Sequence, residues 1–280
     1  MNGPRVTVLA VRPPVGKTTV LVPDLVASLR LRGCRVEVMS PDEGWVDLSA
    51  LEPAADVYVL KSGTETALSY AGALHAAGAH VVNPYPVAAA CRDKIVQTRV
   101  LAAAGVPVPQ SWLTAEPLSL LPELAGGPLI LKDPRGSQGR GLAVVRTPAE
   151  LAAVAVGRPW LAMRYHEPEG QDLKLYRIGE EVFGVERMFP ARTYQDKLGR
   201  PFDVPARLRE VVMRCGDSFG ISIYGVDVIR SKGCEWVVDM SAFPGFKGVP
   251  QAGARVAEQV LAEVRAGTDP VLVAEKGVAS

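Results

Sequence analysis

Asp227, Asp239 and Ser241 fall in two β-branched stretches that read as one hairpin. These are Gly225-Val226-Asp227-Val228-Ile229 and Trp236-Val237-Val238-Asp239-Met240-Ser241. Alternate residues of a strand face opposite sides, so an even register groups Val226 and Val228 with Trp236, Val238 and Met240, and leaves Asp227, Asp239 and Ser241 on the other face. A three-residue loop over 232–234, with Gly233 relieving the bend, sets Asp227 directly opposite Asp239, whereas a strict two-residue turn splits them. Two facing acids beside a hydroxyl repel unless a cation lies between them. Hard oxygen ligands suit Mg²⁺, which is commonly held by one or two carboxylates plus phosphate oxygens. The competing reading is a pair of solvated acids on an exposed sheet face.

Two further groupings carry charge toward such a centre. Lys132-Asp133-Pro134-Arg135-Gly136-Ser137-Gln138-Gly139-Arg140-Gly141 lies between two strand patterns, and its glycines suit a flap whose backbone N–H groups close on phosphate, with Lys132 at the end of its strand. Asp172-Leu173-Lys174-Leu175-Tyr176 returns through Phe183-Gly184-Val185-Glu186-Arg187. With Glu180 and Glu181 as the turn, Lys174 stands opposite Arg187, and two adjacent cations call for an anion such as a transferring phosphoryl group. Ion pairing of these cations with Asp172 and Glu186 is the plainer alternative.

Gly16-Lys17-Thr18-Thr19 imitates a phosphate-binding P-loop. However, Val11 stands where the motif needs its first glycine, and Pro13 and Pro14 remove two backbone donors, so Lys17 is expected to play no part in nucleotide binding.

The elements that must position these residues follow from periodicity. Strand patterns over 6–11, 35–39, 56–61 and 80–83 alternate with helical patterns, one ending at Gly33 and one over 65–77, which implies a mainly parallel α/β unit. Pro84 and Pro86 interrupt the pattern and suggest a boundary, giving an N-terminal subdomain over 1–85 and a second unit over 86–266 that opens with a helix over 92–104. Strands over 129–133, 142–145 and 160–165 follow. The two hairpins turn at Gly179 and Gly233, with a helix between them and another over 251–265, and residues 267–280 read as a loose tail.

The bulk numbers exclude several classes. The 31 Lys plus Arg nearly balance 30 Asp plus Glu in 280 residues, so no nucleic-acid or membrane partner is expected from the overall field. Four cysteines without C-x-x-C spacing fit free thiols and a reducing cytoplasm. The first apolar run reads as a strand rather than a signal peptide, no stretch reaches membrane-spanning length, and the three histidines lie too far apart for a local zinc pattern.

Taken in order, the motifs over about 80–265 resemble the ATP-grasp superfamily. The segment Val82-Asn83-Pro84, Asp93-Lys94 and Ala104-Gly105-Val106-Pro107-Val108-Pro109 is similar to that family's entry segment. The pattern is similar to the glutamate-adding ligases that modify ribosomal proteins and amino-group carriers. Lys174-Leu175-Tyr176-Arg177-Ile178-Gly179 and Phe243-Pro244-Gly245-Phe246-Lys247-Gly248-Val249-Pro250 also resemble inositol polyphosphate kinases.

The resemblance implies an α/β N-terminal unit followed by a two-lobed ATP-grasp fold, α+β in its lobes, holding ATP and Mg²⁺. It assigns Lys94 and Lys132 to the phosphates, 136–141 to the flap and Met163-Arg164-Tyr165-His166 to the adenine linker. Asp172 joins the nucleotide set, Asp227, Asp239 and Ser241 the metal, and Lys174 and Arg187 the transferring group. The implied reaction joins a small-molecule or peptide carboxylate to an amine through an acyl phosphate. The alternative is a kinase acting on a polyol or inositol phosphate hydroxyl, and a homo-oligomer is compatible with either. Three positions depart from the pattern: Ser241 replaces the usual asparagine, Arg164 replaces an acid often found in the linker, and the asparagine and paired glycines expected after Arg187 are missing. The stretch 190–200 stands there instead, so Arg192, Lys197 or Arg200 is expected on the acceptor side.

Overall fold

The computed structural model describes residues 3–12, 20–136, 141–188, 196 and 198–266. The N-terminal unit is a four-stranded sheet in the order β2-β1-β3-β4, all parallel, with β1 at Arg5–Leu9, β2 at Arg35–Met39, β3 at Val57–Leu60 and β4 at Val81–Val82. Helices α1 (Leu21–Leu31) and α2 (Glu65–Ala76) cover its two faces. Val6, Val8, Val57 and Val59 enter one apolar cluster, and Leu9, Tyr58 and Leu60 the other. That explains why these strands read as unbroken apolar runs.

Pro84 and Pro86 begin a helix rather than interrupting one. Pro84 caps α3 (Tyr85–Arg92) and Pro86 occupies its first turn, where a missing N–H costs nothing. Helix α4 (Lys94–Ala103) starts at once, its N-terminus capped by Asp93, whose carboxylate accepts from the Ile95 and Val96 N–H groups.

A second sheet, antiparallel and ordered β5-β8-β6-β7, comprises Ser111–Thr114, Trp160–Arg164, Leu129–Lys132 and Leu142–Val145 in that order. Short helices α5 (Leu121–Ala125) and α6 (Pro148–Ala152) close its back, the latter through a Thr147–Glu150 capping box.

The third sheet is antiparallel and ordered β11-β10-β9-β12-β13. Its strands are β9 (Asp172–Ile178), β10 (Glu181–Arg187), β11 (Arg200–Phe202), β12 (Ile223–Ser231) and β13 (Cys234–Ala242). One face buries Leu173, Leu175, Val226, Val228, Val237 and Met240 against α3, α4 and α7 (Ala206–Asp217). Along the other face of β9 the residues grade from apolar to polar: Ile178 and Tyr176 join the core beneath the N-terminal sheet, whereas Lys174 and Asp172 lie beyond it. Gly225 lets the Tyr176 ring lie flat across β12, since a Cβ there would stand 2.9 Å from the ring.

The last helix, α8 (Ala252–Ala266), returns to pack on α1. A Cβ at Gly253 would lie 2.5 Å from that of Asp24, so the two backbones approach as closely as glycine permits. Among the described residues the four cysteines are free, three of them buried and Cys234 exposed. No described helix is long and apolar enough to cross a membrane.

Candidate active site

The β12–β13 hairpin places Asp227 opposite Asp239, but by a different route from the one expected. Its turn is the two-residue Lys232-Gly233, both at positive φ (51° and 71°), and Ser231 pairs with Cys234. The odd residue is absorbed within the ladder instead. Val228 pairs with Val237 and Asp227 with Asp239, leaving Val238 as a bulge. The bulge turns Val237 into the core, 1% exposed, and leaves Trp236 and Val238 half-buried, which corrects the expected apolar face. It also frees the Val238 carbonyl, which accepts from Lys132 Nζ at 2.9 Å.

The β9–β10 hairpin also turns one residue earlier than expected, at Gly179-Glu180. Arg187 therefore pairs with Asp172, and Lys174 with Val185. The slip moves the pairing by two, which preserves the face. Lys174 and Arg187 thus still converge on one acid: Lys174 Nζ donates to Asp227 Oδ2 at 2.9 Å and Arg187 Nη2 to Oδ1 at 3.3 Å. Lys94, at the first turn of α4, reaches both oxygens of Asp239 at 3.0 and 3.2 Å.

Lys132 completes a cluster of four cations around two acids. Burial pulls its pKa below the usual lysine value, with Asp239 opposing the drop and Lys94 adding to it. Asp172 is pushed upward, first by burial and then by Asp227, against the pull of Arg187.

Gln97 was not anticipated. It is 2% exposed on α4, its Nε2 donates to the Cys91 and Met240 carbonyls at 2.7 Å each, and its Oε1 accepts from the Met240 N–H at 2.9 Å. This clamp fixes the backbone between Asp239 and Ser241. A buried amide bonding across 143 residues leaves no local mark in the sequence.

The flap's two ends are organised by Asp133. Its N–H donates to the Gly141 carbonyl at 2.9 Å, its carbonyl accepts from Gly136 N–H at 3.0 Å, and its carboxylate accepts from Arg135 N–H at 2.9 Å. Ser137, Gln138, Gly139 and Arg140 lie outside the described residues, as do Lys17, Arg192 and Lys197.

The linker 163–166 divides by role. Met163 is buried in β8, and Tyr165 N–H donates to the Pro128 carbonyl. Arg164 turns away to bond the Gly127 and Glu123 carbonyls at 2.6 and 3.0 Å, a structural duty at the end of α5. His166 stacks on Trp236 with ring centroids 4.3 Å apart, so the linker touches the hairpin. Arg200 pairs with Glu186 at 2.8 Å, on the face opposite Arg187, and is largely exposed.

A cavity of about 510 Å³ opens beside these groups, between Ser62, Thr64, Asn83 and Arg92 on one wall and Lys94, Asp227, Asp239 and Ser241 on the other. Asn83 Oδ1 and Arg92 Nε are buried without a partner among the described residues, while Asn83 Nδ2 donates to the Ile223 carbonyl at 2.7 Å.

The match to the family model described as the RimK-like ATP-grasp domain spans residues 91–264, from the end of α3 through most of α8. The chain belongs to the RimK-like ATP-grasp family. Among its relatives is a probable alpha-L-glutamate ligase of Enterobacter sp. (strain 638), 23% identical over 270 residues that cover 85% of this chain and 89% of the relative. Another is the glutamate–LysW ligase ArgX of Sulfurisphaera tokodaii, 29% identical over 200 residues, covering 65% and 71% of the two chains.

The fold of this RimK-like protein is shared by solved structures. A RimK domain ATP-grasp protein from Sphaerobacter thermophilus matches with a TM-score of 0.76 at 19% identity, over 91% of this chain and 98% of that one. D-alanine–D-alanine ligase from Bacillus anthracis, complexed with ATP, matches at 0.72 and 15%, over 95% and 98%. The RimK-like protein is thus an enzyme of the ATP-grasp carboxylate-amine ligase class, and the kinase alternative is not favoured.

Proposed function

We propose that this ligase activates a carboxylate with ATP at the Asp227–Asp239 pair and joins it to an amine, the acid substrate being of the glutamate type that its relatives' names carry. The observation that carries the reading is the charge arrangement: two acids in register, each already held by lysine or arginine, on the polar end of a sheet face beside a cavity.

Lys94 and Lys132 are assigned to the phosphates, the segment 136–141 to the flap that covers them, and the 163–166 backbone with Asp172 to the nucleotide. Asp227 and Asp239, with Ser241 beside them, would hold Mg²⁺. Mg²⁺ commonly takes one or two carboxylates and completes its shell with phosphate and water oxygens, which two acids in register beside a cavity could supply. Bound there, the ion would offset negative charge on the reacting phosphates.

The side chains of this chain supply the remainder. Lys174 and Arg187 face the point where charge builds on the transferring phosphoryl group, and sharing them with Asp227 at rest keeps both aimed before substrate arrives. A substrate carboxylate attacking the γ-phosphorus forms an acyl phosphate and releases ADP. The neutral amine then attacks the acyl carbon and expels phosphate. The unpartnered Asn83 Oδ1 and Arg92 Nε lie on the cavity wall that would face these substrates, offering one acceptor and one donor.

Hydroxylamine supplies a test. With ATP, Mg²⁺ and a panel of amino acids and short acidic peptides, the enzyme should release ADP and accumulate the corresponding hydroxamate. ADP release that yields a phosphorylated hydroxyl product and no hydroxamate would refute the reading.

A further inference from the structure

One carboxylate at the edge of the cavity is held by two arginines from different parts of the chain. Glu65 opens α2, with its Oε1 3.5 Å from Arg92 Nη2 and its Oε2 3.5 Å from Arg135 Nη1. Arg92, the last residue of α3, lines the cavity, as do Thr64 next to Glu65 and Gly136 next to Arg135. Lys94 N–H donates to the Pro134 carbonyl at 3.0 Å, and this bond holds the residues after β6 against the start of α4, close to Arg92.

The Thr64 cap fixes where Glu65 stands. Its hydroxyl accepts from Ala67 N–H at 3.2 Å and donates to Asp42 at 2.9 Å. An acid in the first turn of a helix is ordinary, since it faces the positive end of the dipole. The dipole does not account for two guanidinium groups converging on that acid, one from α3 and one from the segment after β6.

The arrangement is that of a half-filled site. A carboxylate suits arginine best when both oxygens engage neighbouring N–H groups of the fork, at about 2.7–2.9 Å. Glu65 reaches Arg92 through Nη2 alone and at a longer distance, and Arg92 Nε is buried with no partner among the described residues. Both pairs are long and partly exposed, so opening them costs little. On the same wall Asn83, 1% exposed, has its Oδ1 unpartnered and able to accept from an N–H of the same ligand.

We propose that Arg92 and Arg135 recognise the non-reacting carboxylate of an amino-acid substrate, and that Glu65 fills their site as an internal surrogate until the substrate displaces it. The proposal deepens the ligase reading and rests on it for the class of substrate. Occupancy of the site can be tested without turnover.

The probes are L-glutamate, L-glutamine and L-isoglutamine, titrated calorimetrically into the full chain with Mg²⁺ and a non-hydrolysable ATP analogue present. Glutamate keeps both carboxylates, and each amide removes one. One of the two amides should bind at least about tenfold more weakly than glutamate, the scale of one lost charge pair. Arg92→Met should weaken glutamate by a similar factor, bring that amide within about twofold of it, and leave affinity for the nucleotide analogue within about threefold. Arg135→Met provides the second variant and should act in the same direction. Glu65→Gln separates recognition from scaffolding. It should tighten glutamate binding by at least about threefold, because the competing charge is gone while its shape remains. Unchanged or weaker glutamate binding by Glu65→Gln, equal binding of the three probes by the wild-type chain, or a preference that survives both arginine variants would overturn the proposal. So would an absence of glutamate binding in both the wild-type and the Glu65→Gln chains. Hydroxamate formation without these shifts would remove the site and leave the ligase reading, whereas the shifts without hydroxamate would remove the reading and leave the site standing.

Discussion

The β12–β13 hairpin and the end of β3 handle positive charge in opposite ways. On the hairpin wall, Lys94 lies on Asp239 and Lys174 and Arg187 share Asp227, so three cations are paired with two acids and held in place at rest. At the end of β3, Lys61 is half-buried, and burial together with the field of a second cation, Lys247, draws its pKa downward. The first arrangement is stable in itself and keeps its groups oriented for substitution by metal and phosphate. The second carries a desolvated cation at a cost in stability. Substitutions in the two regions should therefore have opposite thermodynamic signatures.

The largest effect is expected at the ion-paired hairpin. Asp239→Asn keeps the shape but leaves Lys94 without its anion and removes half of the acid pair, and ADP release should fall by about 10²–10³-fold, the scale for losing one preorganised electrostatic contact. Steady-state kinetics with coupled ADP detection would measure it, and a loss below fivefold would break the contrast between the two regions. Gln97→Leu should act next, through position. It strips three hydrogen bonds from the backbone around Asp239 and should destabilise the fold by about 3 kcal/mol, read by denaturant titration at constant m-value.

The end of β3 predicts the opposite sign. Lys61→Met should stabilise the ligand-free chain by about 1 kcal/mol near pH 7, because an apolar side chain replaces a desolvated, repelled ammonium. The smallest effect is in the pH dependence of that gain. The folded-state pKa of Lys61 lies below its ordinary 10.5, so the unfolded chain binds more protons in the interval between the lowered value and 10.5, and wild-type stability contributed by this group rises with pH across it. The advantage of Lys61→Met should therefore shrink as pH approaches 10.5 from neutrality. An advantage independent of pH would mean that the gain comes from packing rather than charge.

How much of this was legible in the sequence depended on range. The parallel strands of the N-terminal sheet and the glycines at the two hairpin turns are local patterns, and they appear where the sequence sets them. The pairing of Asp227 with Asp239 was readable from parity, although the extra residue was expected in the turn and instead sits at Val238. Nothing in Trp236-Val237-Val238 marks which valine bulges, since the choice is made by Lys132 and by Pro107, whose carbonyl accepts the Val237 N–H. Lys174 and Arg187 kept their common face because the turn slipped by one residue and the register by two. The Gln97 clamp is a contact between distant segments, and no spacing along the chain announces it. Arg164 illustrates the converse: its departure from the linker pattern became intelligible only when its guanidinium was found on the carbonyls at the end of α5.

The central claim is that the acceptor's carboxylate oxygen attacks the γ-phosphorus. Supplying the enzyme with ATP, Mg²⁺, an amine and an acceptor labelled with ¹⁸O in its carboxylate, then examining the released phosphate by mass spectrometry, follows that oxygen directly. An acyl phosphate route transfers one labelled oxygen to each phosphate released, in step with ADP and with amide product. Unlabelled phosphate, or label retained entirely in the acceptor while ADP forms, would contradict the account.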